Sequence, residues 1–563
     1  MAHTDPEKVG TADVVNLSQQ QSHKDDSLED LTQDADHSLH RRLEARHVTM
    51  IALGGSLGTG LLVGTGAALV KAGPAGIFID YTIVGCIVFL VMAALGEMIA
   101  YMPLSHGFGG YATRFVDPAL GFATGWSYFF KYLIAAPNQL SALALILKYW
   151  AGDSVSPAVF ISVALVLILL INCVGVKYFG EFEFWLSSLK VVIILFIILL
   201  LFVLAVGGGP TGDRPGFRYW RDPGAFAEYK VDGATGRLLG IWSAMVAAVY
   251  AFSGTELVGV TVGEANHPRL SMPKAVRFTF FRILFFYVVS VFLLGLVVPY
   301  DSDDLAFASN AKTSAAASPF VVAVKLAQIN HLDHVINAFL LIFVFSAANS
   351  DIYISSRTLY GIAIDGKAPR FFTRTTKRGV PMYAIGVSGL FCGLAYLSVA
   401  SSGATVFGYL TNVVTIFGLL TWISILVSHI YFCAARKAQS IDVAYIPYQA
   451  PLGAIGSYIA LTFLVILVMT KGAEVFVGKF DYKNFIVGYI GIPVYLALIF
   501  GYKLFRKSHH VSATGADLLT GVPRETVAEE REKFEAARKE REDAMGKASV
   551  WVHIYRRTLT WLF

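Results

Sequence analysis

Apolar residues in this chain fall in long blocks separated by short polar connections. Twelve blocks reach the length of a membrane span: 48–70, 75–99, 119–148, 156–176, 184–206, 238–262, 279–299, 335–361, 382–400, 404–433, 452–471 and 485–505. About 20 mainly apolar residues in a helix cross the hydrocarbon core of a bilayer, so the pattern predicts twelve transmembrane helices. Two blocks are interrupted by a glycine-containing polar break. The first break is Gly54–Gly60 (GGSLGTG), inside an apolar run from Thr49 to Val70. The second is Phe252–Glu256 (FSGTE), inside a run from Leu238 to Val262. A helix in hydrocarbon must satisfy its own backbone. Opening that ladder in mid-membrane therefore requires another partner for the freed N–H and C=O groups, such as a bound solute. Broken helices at matching places in the two halves of a chain point to the substrate site of a transporter.

Composition agrees. Of 563 residues, 55% are hydrophobic and 15% charged, with a mean hydropathy of +0.59; ordinary soluble domains carry about 25% charged residues. A net charge of +5 without a basic, aromatic-interleaved patch excludes nucleic acid as a partner. The four cysteines (Cys86, Cys173, Cys392, Cys433) all fall inside apolar spans with no CxxC or Cys/His spacing. They read as small buried hydrophobes, and neither a metal site nor a cofactor is expected. No HExxH, nucleophile elbow or Walker loop supports an enzyme.

Residues 1–46 are polar, without a signal-peptide core, and read as a disordered cytoplasmic tail. Lys8 and Lys24 there suit ubiquitin-ligase adaptors, and Asn16-Leu17-Ser18 would stay unglycosylated on the cytoplasmic side. The spans fill 47–506, and 507–563 form a second cytoplasmic tail, with a charged helix over 523–547 and an aromatic end. An even span count places both termini together. Basic residues after span six (Arg269, Lys274, Arg277, Arg282) and span eight (Lys367, Arg370, Arg374, Lys377, Arg378) make that side cytoplasmic.

Several polar residues inside the spans could carry chemistry. Ser56, Gly58, Thr59 and Gly60 would present backbone amides at the positive end of a half-helix, a site for a carboxylate; packing through small residues is the alternative. Carbonyls around Phe252, Ser253, Gly254 and Thr255 would suit an ammonium, and the two breaks together match a zwitterion such as an α-amino acid. Glu256 lies near mid-span, where an ionisable residue is costly and functional by default. Lys190 is either a snorkelling anchor or a buried amine able to exchange protons. Glu97 and Glu183 read as structural partners. Lys131 and Asn138 in span three, Ser346, Asn349, Ser350 and Asp351 in span eight, and Thr411, Asn412, Thr415 and Trp422 in span ten are the candidates for reading a substrate side chain, and spacing alone does not rank them.

Five stretches resemble the fungal amino acid permeases of the amino acid–polyamine–organocation superfamily, across 40–510: RHVTMIALGGSLGTGLLVGTG (46–66), LGFATGWSYFF (120–130), VKYFGEFEFWLSSLK (176–190), AFSGTELVGVTVGEANHPRLSMPKAV (251–276) and SAANSDIYISSRTLYGIAIDGKAPRFF (346–372). The resemblance implies an all-α membrane protein of LeuT-like fold: inverted five-helix repeats, spans 1–5 and 6–10, with helices 1 and 6 broken, plus two extra helices. It implies uptake of L-amino acids across the plasma membrane, driven by protons. By position, Ser56, Gly58, Thr59 and Gly60 would hold the substrate carboxylate and the Phe252–Thr255 backbone its amine. Tyr250 or Phe252 would form an aromatic gate. Lys190 would replace a sodium ion between helices one and eight, and Glu256 would take part in coupling. Where many relatives have an acidic residue in the third helix, this chain reads Pro137-Asn138-Gln139-Leu140. With Lys131 nearby, that argues against a lysine or arginine specialist. The loops Gly207–Tyr219 and Val298–Asp301 look like those of the dicarboxylic members, which favours acidic or broad-range neutral substrates. A permease-like amino acid receptor and a polyamine or choline transporter are the competing readings. Polyamines and choline have no carboxylate to place at the first break.

Overall fold

The computed structural model describes residues 57–522 apart from 105–106, 153, 261–267, 304, 306–317, 401–402, 442–444 and 521, together with 55, 528–529, 532 and 536. The tail 1–46, Ser56, and most of the charged helix and aromatic end expected after 523 therefore lie outside the described residues.

Regular structure among the described residues is helical throughout. A π-turn, Gly60–Gly64, leads into α1 (Thr65–Tyr101), followed by α2 (Gly107–Phe115), α3 (Pro118–Ala151), α4 (Pro157–Val174), α5 (Val176–Ala205), α6 (Gly233–Phe252), α7 (Leu257–Val260) and α8 (Pro268–Val297). The second half comprises α9 (Pro319–Leu326), α10 (Leu332–Ile364), α11 (Met382–Phe391), α12 (Leu397–Ala400), α13 (Gly403–Ala438), α14 (Gly453–Thr470), α15 (Tyr482–Tyr489) and α16 (Gly491–Arg506). Three of these helices begin with proline after a capping side chain: Asp117, Ser156 and Ser318 each accept from the N–H two residues on. Proline at the first helical position loses nothing, because its missing N–H would have had no intrahelical acceptor.

Ten helical segments among the described residues are long and apolar enough to cross a membrane. The count differs from twelve at two places. Blocks 48–70 and 75–99 run together into one element, Gly60–Tyr101, broken at Gly73 (φ +75°) before Pro74. Block 279–299 lies in α8, a helix of 30 residues of which Leu284–Val297 is the apolar stretch among the described residues and so is not among the ten. Pro268 starts α8 early, so Arg269, Lys274, Arg277 and Arg282 sit on a helix and not in the loop the sequence suggests.

Backbone groups freed at Gly73 are taken up by another segment. Ala75 N–H donates to the Ala225 carbonyl at 2.9 Å, and Ala227 N–H to the Ala72 carbonyl at 3.2 Å. A Cβ on Gly73 would lie 2.7 Å from Ala227 N and 2.9 Å from Ala225 O, at a left-handed φ. Gly73→Ala is therefore expected to lose about 1–3 kcal/mol from backbone conformation alone, before the clash. Its check is a lower monodisperse fraction of detergent-extracted protein and a lower melting temperature.

Two packing groups surround the breaks. The first sets α1 against α6 and α8; the second sets α3 against α10 and α13. Helices α4, α11, α14 and α16 turn large apolar side chains outward, among them Leu170, Leu390, Ile455 and Phe505, as a lipid-facing surface requires. At one end of the bundle, the start of the C-terminal tail docks onto the helix ends. Val511 N–H donates to the Val116 carbonyl and Tyr101 Oη to the Leu518 carbonyl, both at 2.9 Å; Arg114 pairs with Asp517 at 3.2 Å. Burial opposes the charge of Asp117 there, yet the Ala119 N–H, Lys503 and Ser508 hold its carboxyl below the ordinary carboxylate value.

Candidate functional site

Both breaks predicted from sequence are present, and they meet. At the first, Leu57 and Gly58 bend, Thr59 re-enters helical geometry and Gly60 opens the π-turn. At the second, α6 stops at Phe252, Ser253 turns extended (ψ 127°), Gly254 takes φ +108° and α7 resumes at Leu257. The Phe252 and Gly254 carbonyls accept turn bonds from Thr255 N–H (3.3 Å) and Leu257 N–H (3.1 Å), and each keeps a second lone pair for a ligand. The two breaks touch through backbone, since Gly60 packs directly on Ala251 and Tyr250.

Side chains tie this contact together. Thr59 Oγ1 donates to Gln139 Oε1 at 2.8 Å and lies 3.0 Å from the Tyr250 hydroxyl. Asn138 Nδ2 donates to the same hydroxyl at 2.8 Å and to Thr411 Oγ1 at 3.0 Å. Between the breaks lies a cavity of about 20 Å³ lined by Gly58, Thr59, Gly60, Lys131, Gln139, Tyr250, Ser253 and Asp351. It has room for about one water, so a larger solute enters only when this region opens. Ser253 Oγ and Asp351 Oδ2 are buried atoms without a hydrogen-bond partner among the described residues, and they are available to a solute.

Lys131 of α3 and Glu256 of the second break form a fully buried ion pair. Glu256 also accepts from Gly254 N–H at 3.1 Å, Trp422 Nε1 at 3.2 Å and the Tyr132 hydroxyl at 3.3 Å. This carboxylate pins the turn to α3 and α13. The Lys131 ammonium lies 4.8 Å from the centre of the Tyr132 ring and 5.5 Å from that of Tyr128.

Lys190 sits elsewhere. It is 0% exposed, 4.0 Å from Glu183 Oε1 and 5.8 Å from the centre of the Phe343 ring of α10. Full burial rules out snorkelling, which keeps the charged head in water. Ser346 donates to Glu183 at 2.5 Å, so it belongs to this Lys190 group and not to the cavity wall. Three further expected site residues also point away. The Phe252 ring packs on Tyr287 (4.7 Å between centroids) and Tyr81 (6.2 Å), which leaves Tyr250 as the expected gate residue that lines the cavity, where Tyr132 lies as well. Asn349 accepts from Asn172 at 2.9 Å, and Thr415 donates back to the Thr411 carbonyl of its own helix at 2.7 Å. Asp351, one of the span-eight candidates, does line the cavity, and Gln139 is a polar cavity residue outside the expected set. Gln139 is a polar residue in an apolar span, but nothing in its spacing marks it above its neighbours. Glu97 is held by Arg436 (2.5 Å), His429 (3.1 Å) and the Ala450 N–H (2.8 Å). These donors occupy it, although Cys433 stands close enough to complete a metal-like cluster.

Beyond Tyr250 lies a second, larger cavity. The Tyr250 ring meets Phe407 edge-on at 6.2 Å, and Phe407 and Thr411 line a space of about 210 Å³. Tyr250, Asn138, Thr411 and Phe407 thus form a thin partition between the two cavities.

A buried polar chamber between two broken helices of a multi-pass helical protein defines a membrane transporter. The sequence model of the amino acid permease family matches residues 47–512, and the chain belongs to that family. It is 50% identical over 527 residues to the dicarboxylic amino acid permease of Saccharomyces cerevisiae, covering 92% of this chain and 86% of that one. It is 38% identical over 486 residues to the proline-specific permease of Emericella nidulans, covering 85% and 88%. Among solved structures, the Eremococcus coleocola manganese transporter superposes with a TM-score of 0.51 over 81% of this chain and 92% of that one. At 13% identity this likeness concerns the fold alone, the LeuT-like arrangement the sequence implied.

Proposed function

We propose that the protein is a proton-coupled symporter that imports acidic L-amino acids across the plasma membrane by alternating access, with both termini cytoplasmic. The carrying observation is Lys131: the cavity wall between the two breaks includes a buried lysine, paired with Glu256 in the closed chamber, and a substrate carboxylate entering the opened chamber would share that ammonium with Glu256. The 50% identical relative is a dicarboxylic amino acid permease, in keeping with that chemistry. In this reading Gly58, Thr59 and Gly60, with Ser56, receive the α-carboxylate. The Phe252–Thr255 backbone and Ser253 Oγ receive the ammonium. Tyr250 gates, and Asn138 holds the gate closed through the Tyr250 hydroxyl. The tails, 1–46 and 507–563, are the regulatory segments, with Lys8 and Lys24 as sites for ubiquitin-ligase adaptors.

The test is uptake of labelled glutamate, proline, leucine and arginine at pH 5 and pH 7.5 in cells lacking their own permeases. Glutamate accumulation that rises at low pH is the expected result. Binding without uptake, despite surface expression, would replace the symporter by a receptor.

Lys190 is the proposed coupling group, because a fully buried amine between α5 and α10 beside Glu183 can link its charge to the packing of those helices. Lys190→Met is expected to abolish proton-driven accumulation while equilibrative exchange persists. A mutant that keeps the wild-type dependence of accumulation on external pH would remove Lys190 from coupling.

A further inference from the structure

The larger cavity carries chemistry that the substrate chamber does not explain. Its charged lining residues are Lys71, Lys471 and Glu474. Lys71 and Glu474 pair at 2.9 Å, which leaves Lys471 as the lining lysine with no carboxylate partner among the described residues. This lysine follows the last residue of α14, is 3% exposed and donates to the Asn412 carbonyl at 3.1 Å. Among the described residues no carboxylate pairs with it, and burial disfavours an ammonium held only by a neutral carbonyl; an anion in the cavity would stabilise its charged form. The floor of the cavity is Phe407 and Thr411, the outer face of the Tyr250 partition.

We infer that this cavity is a vestibular site for the carboxylate of an anionic amino acid, which docks on Lys471 before passing Tyr250 to the chamber between the breaks. The inference rests on the proposed acidic cargo and on this end being extracellular, the end to which the connection between α5 and α6 belongs: Lys230 of that connection donates to the Glu474 carbonyl at 2.7 Å. A cleft with one sign of charge and low-dielectric walls raises the local concentration of the opposite ion and its rate of capture. An ammonium held at the cavity wall does this for glutamate or aspartate, and does little for a net-neutral amino acid.

The experiment is glutamate uptake kinetics by the full-length transporter at two ionic strengths, in cells lacking other permeases, for the wild type, Lys471→Met and Lys471→Arg. Lys471→Met is expected to raise the glutamate KM about 3–10-fold with little change in Vmax per surface copy. Its KM should also lose the rise with salt that the wild type shows, and Lys471→Arg should restore both. Should Lys471→Met not reach the surface, Asn412→Asp offsets the Lys471 charge without removing the lysine and is expected to raise KM likewise. An unchanged KM, or a raised KM with the wild-type salt dependence, overturns the vestibular site while leaving the acidic-cargo reading intact. Wild-type protein that takes up neutral amino acids but no glutamate overturns both.

Discussion

Alanine at Gly60 is expected to abolish uptake, with a loss of about 100-fold or more, although the change adds a single methyl group. The Cβ would fall 2.8 Å from Ala251 N and 3.1 Å from the Tyr250 carbonyl carbon, and closer still to Ala251 Cα. These are backbone atoms of a packed helix and cannot rotate aside. The two breaks must then separate, which pulls Thr59 from Tyr250 and displaces both halves of the chamber. Misplacing reacting or binding groups by about 1 Å costs on the order of 100-fold in function. Gly58 gives the internal comparison: its Cβ would meet Ala347 Cβ at 3.6 Å and Gln139 Nε2 at 3.8 Å, ordinary contact distances. Gly58→Ala should therefore be the milder change, and Gly58→Val, which fills the cavity, the more severe. Uptake per surface-exposed copy, measured for Gly60→Ala and Gly58→Ala side by side, checks the ordering. Near-normal transport by Gly60→Ala would mean that the two breaks do not form one site.

The breaks themselves are legible in the sequence, because hydrocarbon enforces a rule that composition cannot hide: an apolar helix interrupted by glycine and polar residues needs a reason. The lengths of the spans follow from the same rule. Pairing across the bundle is less accessible. Lys131 and Glu256 are 125 residues apart, and nothing in either segment says that one faces the other. Ser346 looks like a substrate contact until Glu183 is seen to claim it, and Phe252 looks like a gate until its ring is found against Tyr81 and Tyr287. Each of these depends on helix rotation about its own axis, which the nearly uniform hydrophobicity of a membrane helix leaves undetermined. The element Gly60–Tyr101 shows the opposite case. The connection between blocks 48–70 and 75–99 is visible, but the loop segment 225–227 that satisfies the Gly73 backbone follows four further spans in the chain.

The Lys131–Glu256 pair separates stability from selectivity in a way a double-mutant cycle resolves. Lys131→Met leaves Glu256 buried with three neutral donors, Gly254 N–H, Trp422 Nε1 and Tyr132 Oη, and no countercharge. Glu256→Gln leaves the ammonium at 1% exposure with Asp351 across the cavity as the remaining acid on its wall. Breaking a buried pair from one side costs about 3–5 kcal/mol, whereas replacing both partners by neutral groups of similar size is often close to neutral. Each single mutant is thus expected to be poorly folded and the pair Lys131→Met/Glu256→Gln to recover much of the lost stability, a coupling of more than about 1 kcal/mol. Transport should not recover with it. If Lys131 supplies the countercharge for a substrate side-chain carboxylate, the double mutant reaches the membrane yet no longer takes up glutamate, because no other cation lines the chamber among the described residues. Thermal stability in detergent and glutamate uptake per surface copy are read on the same four proteins. Recovery of both together would make the pair a structural latch of the second break and move side-chain recognition to Gln139 and Asp351; recovery of stability alone identifies Lys131 as the residue that selects the cargo.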